Sequence, residues 1–289
     1  MASPSDWFHG ARPRTLPAAI APVLAGSAVA AWVDSFVGWK ALLALVVALA
    51  LQVGVNYAND YSDGIRGTDA DRVGPMRLVG SGRATPAAVK RAAFLCFLIA
   101  ALAGLALAVT TNWWLVAVGA LAIIAAWFYT GGKRPYGYLA LGEVMVFVFF
   151  GLVAVVGTTY VQVGRLIEPA WYAGVGVGAL ACAILVANNL RDLPTDALAG
   201  KRTLAVRLGT ERTRGLYLIL ILAAAAAVVA VAASTTWTAL AGLGFLLVAV
   251  RPTRSVLAGA SGPALIPVLQ QTGFAELAWS ALVSFGLLV

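Results

Sequence analysis

Charged residues are scarce in this chain. They make up 11% of the sequence, whereas hydrophobic residues make up 61%, and this balance is far from that of a soluble domain. The apolar residues come in blocks of roughly 20, long enough to cross the ~30 Å hydrocarbon core of a bilayer. The composition therefore excludes a soluble enzyme or binding module and predicts an all-α, polytopic membrane protein.

Cysteine and histidine are almost absent. Cys96 and Cys182 both fall inside apolar blocks, so neither a disulfide nor a thiolate metal site is supported. The single histidine, His9, precedes the first apolar block, and we assign it no chemistry. A cleavable signal peptide is not indicated either, because the N-terminus is polar through Arg14.

Nine apolar blocks predict nine transmembrane helices. We expect them to form one bundle around a central cavity that faces the cytoplasm, with residues 1–289 as a single transmembrane domain. The predicted spans are 15–33, 38–60, 86–109, 112–130, 140–163, 169–190, 212–233, 237–250 and 264–288. A faint internal repeat would relate spans one to four with spans five to eight and leave span nine appended.

The net charge of +8 has its explanation in topology rather than in nucleic-acid binding. With the N-terminus inside, only Lys40 and Arg165 of the 20 lysines and arginines lie on the outer side. The positive-inside rule expects this asymmetry. The sequence therefore predicts a multi-pass protein of the plasma membrane with a cytoplasmic N-terminus.

Two polar clusters end two of the apolar blocks, spans two and six. The first contains Asn56, Asn59, Asp60 and Asp63, and the second contains Asn188, Asn189, Asp192 and Asp196. On a helix, Asn188, Asp192 and Asp196 would share one face. The same spacing argument puts Asn56, Asp60 and Asp63 on one face of the other helix.

Acidic residues at these positions favour a bound cation. Carboxylates at a membrane boundary are costly to bury unpaired, and the helix C-terminus already carries partial negative charge. Mg²⁺ takes one or two carboxylates and fills its remaining positions with water and phosphate oxygens. The nearby basic residues, which are Arg66, Arg72, Lys201 and Arg202, then suit the other phosphate oxygens. The alternative that the acids only neutralise basic loops stays open, above all for Asp69 and Asp71.

A third polar turn lies between the clusters, from Tyr129 to Tyr138. Its glycines and Pro135 predict a compact loop. Lys133 and Arg134 in this loop either bind phosphate or simply follow the positive-inside rule. The active site is thus expected on the cytoplasmic side.

Two features lie within the apolar blocks. The glycines at positions 174, 176 and 178 predict close helix packing rather than a nucleotide site, because no strand precedes them. Glu276 lies midway along span nine and should not face lipid if it is charged. It is either a hydrogen-bonded helix contact with Gln270 or Gln271, or part of a proton relay.

Three motifs together resemble a known family. Asn59-Asp60-Tyr61-Ser62-Asp63, Tyr129-x-x-x-Lys133 and Asp192-x-x-x-Asp196 resemble the signature motifs of the UbiA-type intramembrane prenyltransferases. The resemblance covers essentially the whole chain. It implies that catalysis and Mg²⁺ binding rest on Asp60, Asp63, Asp192 and Asp196, with Lys133 on an isoprenoid diphosphate. The substrate-binding residues it implies are Asn56, Asn59, Arg66, Arg72, Tyr129, Arg134, Asn188, Asn189, Lys201 and Arg202.

Within this family, the chain is most similar to the branch that prenylates 1,4-dihydroxy-2-naphthoate. The similar segments are Arg12 to Pro17, Asn56 to Gly82 and Asn188 to Gly209. One departure concerns the metal ligands: the broader family often has a further aspartate at the position of Gly67. The resemblance implies that Asp69 takes over this role.

The resemblance implies an activity and a set of partners. A polyprenyl group would pass from polyprenyl diphosphate to 1,4-dihydroxy-2-naphthoate with loss of the carboxyl group, giving demethylmenaquinone, with Mg²⁺ as cofactor and the lipid bilayer as surroundings. By location, Asn56, Asn59, Arg12 and Arg14 are candidates to bind the acceptor's carboxylate. Aromatic rings suited to shielding an allylic cation are Phe128, Tyr129, Phe147, Phe149 and Phe150.

Two alternatives remain from the sequence. The acceptor could be another molecule, such as 4-hydroxybenzoate, a chlorophyllide, haem or a sugar phosphate. A secondary transporter would also use membrane carboxylates. Transport is disfavoured because the acidic clusters lie at helix ends rather than near the midplane of the bilayer.

Overall fold

The computed structural model describes residues 2–67 and 76–289. Within these ranges the protein contains helices and turns but no strand, which confirms the all-α class. The α-helices are α1 Pro4–Gly10, α2 Pro17–Trp32, α3 Gly38–Arg66, α4 Pro86–Val109, α5 Trp114–Phe128, α6 Gly142–Val146, α7 Ala154–Val163, α8 Glu168–Leu198, α9 Leu204–Leu208, α10 Thr210–Ser234, α11 Phe245–Leu257 and α12 Ile266–Leu288. Short 3-10 helices cover Pro13–Thr15, Tyr136–Tyr138, Trp237–Gly244 and Gly262–Leu265, and a π-helix, Phe147–Val153, joins α6 to α7.

Each of the nine predicted ranges contains a helix. Among the described residues, six helices are long and apolar enough to cross a membrane, or seven if the bent pair Pro4–Thr15 and Pro17–Trp32 forms one span. The chain is therefore a multi-pass membrane protein. α5 has 15 residues, and at 1.5 Å per residue it is about 22 Å long, shorter than a ~30 Å hydrocarbon core. The count of nine spans stays a prediction.

α8 lies at the centre of the bundle. It packs against α10, α12, α2 and the π-helix, and most of its apolar length is buried. A Cβ at Gly176 would lie 2.3 Å from the Trp279 ring, and one at Gly178 would lie 3.1 Å from the Cα of Gly151. The prediction that the glycine run permits close helix packing is confirmed.

Glu276 projects into the protein from α12. Its side chain is fully buried, as expected for a carboxyl group on a membrane helix. Neither carboxyl oxygen has a hydrogen-bond partner within the part of the chain that the structure describes. The expected hydrogen-bonded contact with Gln270 or Gln271 is therefore wrong.

Candidate active site

A polar cavity of about 460 Å³ is lined by the C-terminal ends of α3 and α8. The members of the two sequence clusters that line it are Asn59, Asp63, Asn188, Asn189, Asp192 and Asp196. Both helices bring their polar ends to the same side of the bundle because each runs in the same direction through it. The expected central cavity between the clusters is confirmed.

The acidic residues of α8 keep the spacing that the sequence predicts. The helix continues through Pro194 to Leu198, so Asn188, Asp192 and Asp196 line the polar cavity from one face. Arg191 donates from Nε to Oδ1 and from Nη2 to Oδ2 of Asp192, both at 2.7 Å. This bidentate contact fixes the orientation of the buried Asp192 carboxylate.

Lys201 reaches the polar cavity from the turn that follows α8. Its Nζ lies 3.7 Å from Oδ1 of Asp196 and 4.7 Å from the centre of the Tyr138 ring. Arg202, in contrast, has an exposed side chain, and its backbone N–H donates to the Tyr138 carbonyl at 3.0 Å. Of these two predicted diphosphate-binding residues, the structure brings Lys201 to the cavity.

Asp63 of α3 is held by two residues from other parts of the chain. The Tyr138 hydroxyl donates to its Oδ1 at 2.5 Å, and Arg77 Nη2 donates to its Oδ2 at 3.3 Å. Tyr138 and Arg77 also line the polar cavity. Sequence reasoning assigned neither residue to the site. The positive-inside rule already accounts for Arg77, and Tyr138 stood out only as the end of the polar turn that begins at Tyr129.

Asp60 points away from the polar cavity. Its side chain is buried, its Oδ2 accepts a hydrogen bond from the Leu78 backbone N–H at 2.7 Å, and its Oδ1 accepts one from Val79 at 2.9 Å. α3 is a continuous helix from Gly38 to Arg66, so Asn56, Asp60 and Asp63 have the spacing of one helix face, but the α3 cluster residues that line the polar cavity are Asn59 and Asp63. A role for Asp60 in metal binding stays a prediction.

The middle loop contributes to the cavity through Tyr129 and Thr130. The Thr130 hydroxyl donates to Asn59 Oδ1 at 2.7 Å, and Arg66 donates to the backbone carbonyls of Thr130 and Gly132. Arg66 thus fixes the loop rather than lining the cavity. Lys133 and Arg134 are exposed and do not line it either, so their contact with diphosphate stays a prediction.

The segment before α2 brings Arg12 to the polar cavity. Arg12 has a left-handed backbone with φ of 56°, a conformation that costs a non-glycine residue about 1–3 kcal/mol. Asn56 holds this segment, because its Nδ2 donates to the Ala11 carbonyl and to Thr15 Oγ1, both at 3.0 Å. Arg14 is exposed and does not line the cavity.

Asn189 and Glu143 form a buried pair beside the cavity. Nδ2 of Asn189 donates to Oε1 of Glu143 at 2.9 Å. Asn189 lines the cavity, whereas Glu143 does not line it and instead holds the Asn189 side chain through this hydrogen bond. Three other residues predicted for the site, Asp69, Asp71 and Arg72, lie outside the described residues.

An apolar cavity of about 330 Å³ adjoins the polar one. The two share wall residues, namely Ala18, Gln52, Asn59, Tyr129, Val146 and Phe150. Asn56 and Phe149 line the apolar cavity, but Phe128 and Phe147 line neither. Tyr136 also lines it; burial raises the pKa of this hydroxyl, which donates to the Ala125 carbonyl at 2.7 Å.

The donor set fits Mg²⁺ only together with a ligand that supplies oxygens. In the described part of the chain, no three acidic, cysteine or histidine side chains come together closely enough to hold a metal ion. However, Asp63, Asp192 and Asp196 line one cavity, which Asn59 and Asn188 also line. One or two carboxylates completed by phosphate oxygens and water is the usual Mg²⁺ arrangement, so the residues fit.

Comparison with known proteins shows the family to which the chain belongs. The UbiA prenyltransferase family matches residues 19–287, and the chain belongs to this family. It is 56% identical over 284 residues to the 1,4-dihydroxy-2-naphthoate octaprenyltransferase of Mycobacterium tuberculosis, covering 98% of this chain and 97% of that one.

Solved structures show the same fold at low sequence identity. A UbiA homolog from Aeropyrum pernix K1 superposes with a TM-score of 0.73 at 15% identity, covering 95% of this chain and 97% of the other. A UbiA homolog from Archaeoglobus fulgidus, bound to DMAPP and Mg²⁺, gives a TM-score of 0.64 at 15% identity, with 98% of each chain covered.

Proposed function

We propose that this protein transfers a polyprenyl group from polyprenyl diphosphate to 1,4-dihydroxy-2-naphthoate, with loss of the carboxyl group as CO₂, to give the quinol form of demethylmenaquinone. The observation that carries the proposal is the junction of the two cavities. An acidic and basic cavity suits a diphosphate, and the apolar cavity that adjoins it suits the hydrocarbon chain of the same molecule. The relative in Mycobacterium tuberculosis supports the choice of acceptor.

The diphosphate would lie in the polar cavity. Asp63, Asp192 and Asp196 would hold Mg²⁺ there, and the bound metal would stabilise negative charge on the departing diphosphate. The Archaeoglobus fulgidus homolog of the same fold is bound to DMAPP and Mg²⁺, which supports a metal-bound prenyl diphosphate as the ligand. Lys201 and Arg77, which line the same cavity, are placed to donate to diphosphate oxygens.

The cationic residues also prepare the cavity for its ligand. Arg77, Arg191 and Lys201 each contact one of the three carboxylates. They offset the mutual repulsion of the acids before any ligand enters. When one of these basic side chains moves from its carboxylate to a phosphate oxygen, it exchanges one charge-assisted hydrogen bond for another.

The reacting carbon would lie at the junction of the cavities. Its bond to the diphosphate oxygen breaks with the electron pair going to the diphosphate, and the acceptor ring supplies the pair for the new carbon–carbon bond. Tyr129 and Phe150 line both cavities at this point. Their rings exclude water and attract the allylic cation through their π faces.

Arg12 is the residue we assign to the acceptor's carboxylate. Its guanidinium matches a carboxylate in shape and charge, and its segment is anchored through Asn56 and Thr15. Of the predicted candidates, Arg12 is the cation that lines the polar cavity, whereas Arg14 is exposed and Asn56 lines the apolar cavity. When the prenyl group replaces the carboxyl group at its ring carbon, the carboxylate leaves as CO₂ and its bonding pair restores the aromatic ring, so the product is the quinol and no oxidant is required.

The distribution of basic residues supports an orientation. The polar cavity opens on the side that carries Arg77, Arg191 and Lys201, and the positive-inside rule assigns this side to the cytoplasm. We propose a plasma-membrane location with the N-terminus and the active site on the cytoplasmic side. To test this orientation, a cysteine is introduced at the exposed Arg134 and an impermeant reagent is added to right-side-out vesicles. We expect labelling only after lysis, and labelling before lysis would contradict the orientation.

The proposed activity is tested by incubating the purified protein with Mg²⁺, a polyprenyl diphosphate and a panel of acceptors. We expect prenylated product from 1,4-dihydroxy-2-naphthoate and none from 4-hydroxybenzoate. Product from 4-hydroxybenzoate alone would agree with a prenyltransferase activity but would contradict the proposed acceptor. No product from any acceptor in the panel would overturn the proposed reaction.

A further inference from the structure

Gln52 of α3 forms part of the wall of both cavities. Its side chain is 6% exposed, and its Oε1 has no hydrogen-bond partner in the part of the chain that the structure describes. Buried polar groups in folded proteins are nearly always paired. An amide oxygen that lacks a protein donor at the wall of a cavity points to a ligand that supplies one.

The orientation of the Gln52 amide is fixed by Thr15. The Thr15 hydroxyl donates its one proton to the Arg12 carbonyl at 2.9 Å, so towards other groups its oxygen acts only as an acceptor. It accepts a hydrogen bond from Gln52 Nε2 at 2.9 Å and another from Asn56 Nδ2 at 3.0 Å. Because Thr15 holds the NH₂ group of Gln52, the oxygen is the end of this amide that is left for a ligand.

The other amides of the site differ from Gln52. Asn59 also lines both cavities, but its Oδ1 accepts a hydrogen bond from Thr130. Asn188 and Asn189 line the polar cavity and not the apolar one. Among the described residues, Gln52 is therefore the amide that offers an oxygen at the junction of the cavities, where the reacting carbon would lie.

The hydrogen bonds of Thr15 also connect Gln52 to Arg12, which we assign to the acceptor's carboxylate. Thr15 binds the backbone of Arg12 and the side chain of Gln52, and all three residues line the polar cavity. A ligand whose carboxylate lies on Arg12 would bring the neighbouring group of its ring towards Gln52. In 1,4-dihydroxy-2-naphthoate, this neighbouring group is the hydroxyl at ring position 1.

The 1-hydroxyl is also the one that takes part in the reaction. When the carboxyl-bearing carbon attacks the allylic carbon, the positive charge left in the ring is shared by the oxygen of this hydroxyl. The 4-hydroxyl is meta to the attacking carbon and does not share the charge. An amide oxygen that accepts a hydrogen bond from the 1-hydroxyl stabilises the charge as it develops.

We propose that Oε1 of Gln52 accepts a hydrogen bond from the hydroxyl adjacent to the acceptor's carboxylate, and that Gln52 thereby determines the specificity for the aromatic substrate. This inference rests on the proposed function, because it takes the acceptor to be a hydroxynaphthoate. Gln52 receives no proton. The hydroxyl keeps its proton, and the positive charge disappears when the carboxylate leaves as CO₂ and its bonding pair returns to the ring. An acceptor without this hydroxyl leaves the buried oxygen unpaired and is disfavoured.

The test combines one variant with three analogues of the acceptor. Gln52→Met keeps the length of the side chain and removes the amide. Binding of 2-naphthoate, 1-hydroxy-2-naphthoate and 4-hydroxy-2-naphthoate is measured in the presence of Mg²⁺ and a polyprenyl thiodiphosphate that resists cleavage. In the wild type, we expect 1-hydroxy-2-naphthoate to bind about fivefold to tenfold more tightly than 2-naphthoate, as for one hydrogen bond. In Gln52→Met this preference should disappear, whereas the effect of the 4-hydroxyl should be the same in both proteins.

Comparison of the analogues separates the hydrogen bond from a general loss of structure. Gln52→Met also removes the bond to Thr15, but a resulting displacement of Arg12 would weaken the binding of all three carboxylates alike and leave the preference unchanged. Gln271→Met is the matched control. Gln271 is a half-buried glutamine of α12 that lines neither cavity, so this variant should keep the wild-type preference.

A kinetic measurement follows the same bond during the reaction. With 1,4-dihydroxy-2-naphthoate, kcat of Gln52→Met should fall by about tenfold or more, whereas KM for polyprenyl diphosphate should stay within about twofold of the wild-type value. An unchanged kcat, or an unchanged preference for 1-hydroxy-2-naphthoate in Gln52→Met, would overturn the assignment of Gln52 and leave the proposed function intact. Failure of all three naphthoates to bind the wild type would contradict the acceptor of the proposed function, and this assignment with it.

Discussion

The Tyr138 hydroxyl donates a hydrogen bond of 2.5 Å to Oδ1 of Asp63. Tyr138 belongs to the loop between α5 and α6, whereas Asp63 ends α3, so this bond joins two of the three polar segments of the sequence. The same ring lies 4.7 Å from Nζ of Lys201, which follows α8. Tyr138 thus connects all three segments at the wall of the polar cavity.

Removal of divalent metal should abolish prenyl transfer. The carboxylates of Asp63, Asp192 and Asp196 share one cavity, and without a cation they would repel the diphosphate. We expect EDTA to eliminate product formation and excess Mg²⁺ to restore it. In Asp196→Asn, the Mg²⁺ concentration for half-maximal activity should rise about tenfold, a loss of about 1.4 kcal/mol. Full activity in EDTA would contradict a metal-dependent reaction.

Asp60→Ala should act mainly on stability. The substitution leaves the buried N–H of Leu78 and the partly buried N–H of Val79 without acceptors, and the buried one alone costs about 1–3 kcal/mol. We expect a lower thermal unfolding midpoint in detergent, and a Mg²⁺ half-activation concentration that stays near the wild-type value at low temperature. A tenfold rise in that concentration with unchanged thermal stability would instead support the predicted role of Asp60 as a metal ligand.

Arg12→Ala should weaken binding of the acceptor but not of the diphosphate. A hydrogen bond to a charged group contributes about 1.5–3 kcal/mol, so we expect KM for the naphthoate to rise by about tenfold to a hundredfold. KM for the polyprenyl diphosphate should change little. Arg14→Ala is the control, since Arg14 is exposed and outside the cavity. Equal effects on both substrates would show that Arg12 does not act on the acceptor.

Glu276→Gln should preserve turnover. Glu276 is fully buried, and neither cavity is lined by it, so we expect kcat to stay within about twofold of the wild-type value. The thermal midpoint should be equal or higher, because the substitution removes a buried carboxyl group without partners among the described residues. A large loss of kcat without loss of stability would favour the proton-relay interpretation.

The α8 half of the site follows directly from the sequence. Three polar residues at intervals of four necessarily share a helix face, and the helix continues past Pro194 to keep them together. The α3 half follows only in part. Asn59 and Asp63 reach the polar cavity, but Asp60 binds the loop at Leu78 and Val79, a tertiary contact that no local pattern encodes.

The basic residues that line the cavity could likewise not be predicted from the local sequence. The sequence offers several cations in each loop, and backbone turns decide which of them face the cavity. Lys201 and Arg77 do so, whereas Lys133 is exposed.

The apolar cavity could not be predicted at all. It arises where helices leave space at residues such as Gly119 and Gly157, and hydrophobic periodicity carries no information about such gaps in uniformly apolar helices.

The central claim is that Asp63 and Asp192 act on one metal-bound diphosphate, and a double-mutant cycle tests it most directly. The affinity for a polyprenyl diphosphate in the presence of Mg²⁺ is measured for the wild type, Asp63→Asn, Asp192→Asn and the double variant. We predict a clear interaction energy, in the range of about 0.5–3 kcal/mol, with the double variant little worse than either single one. Losses that simply add would contradict a shared ligand and place the two carboxylates in separate sites.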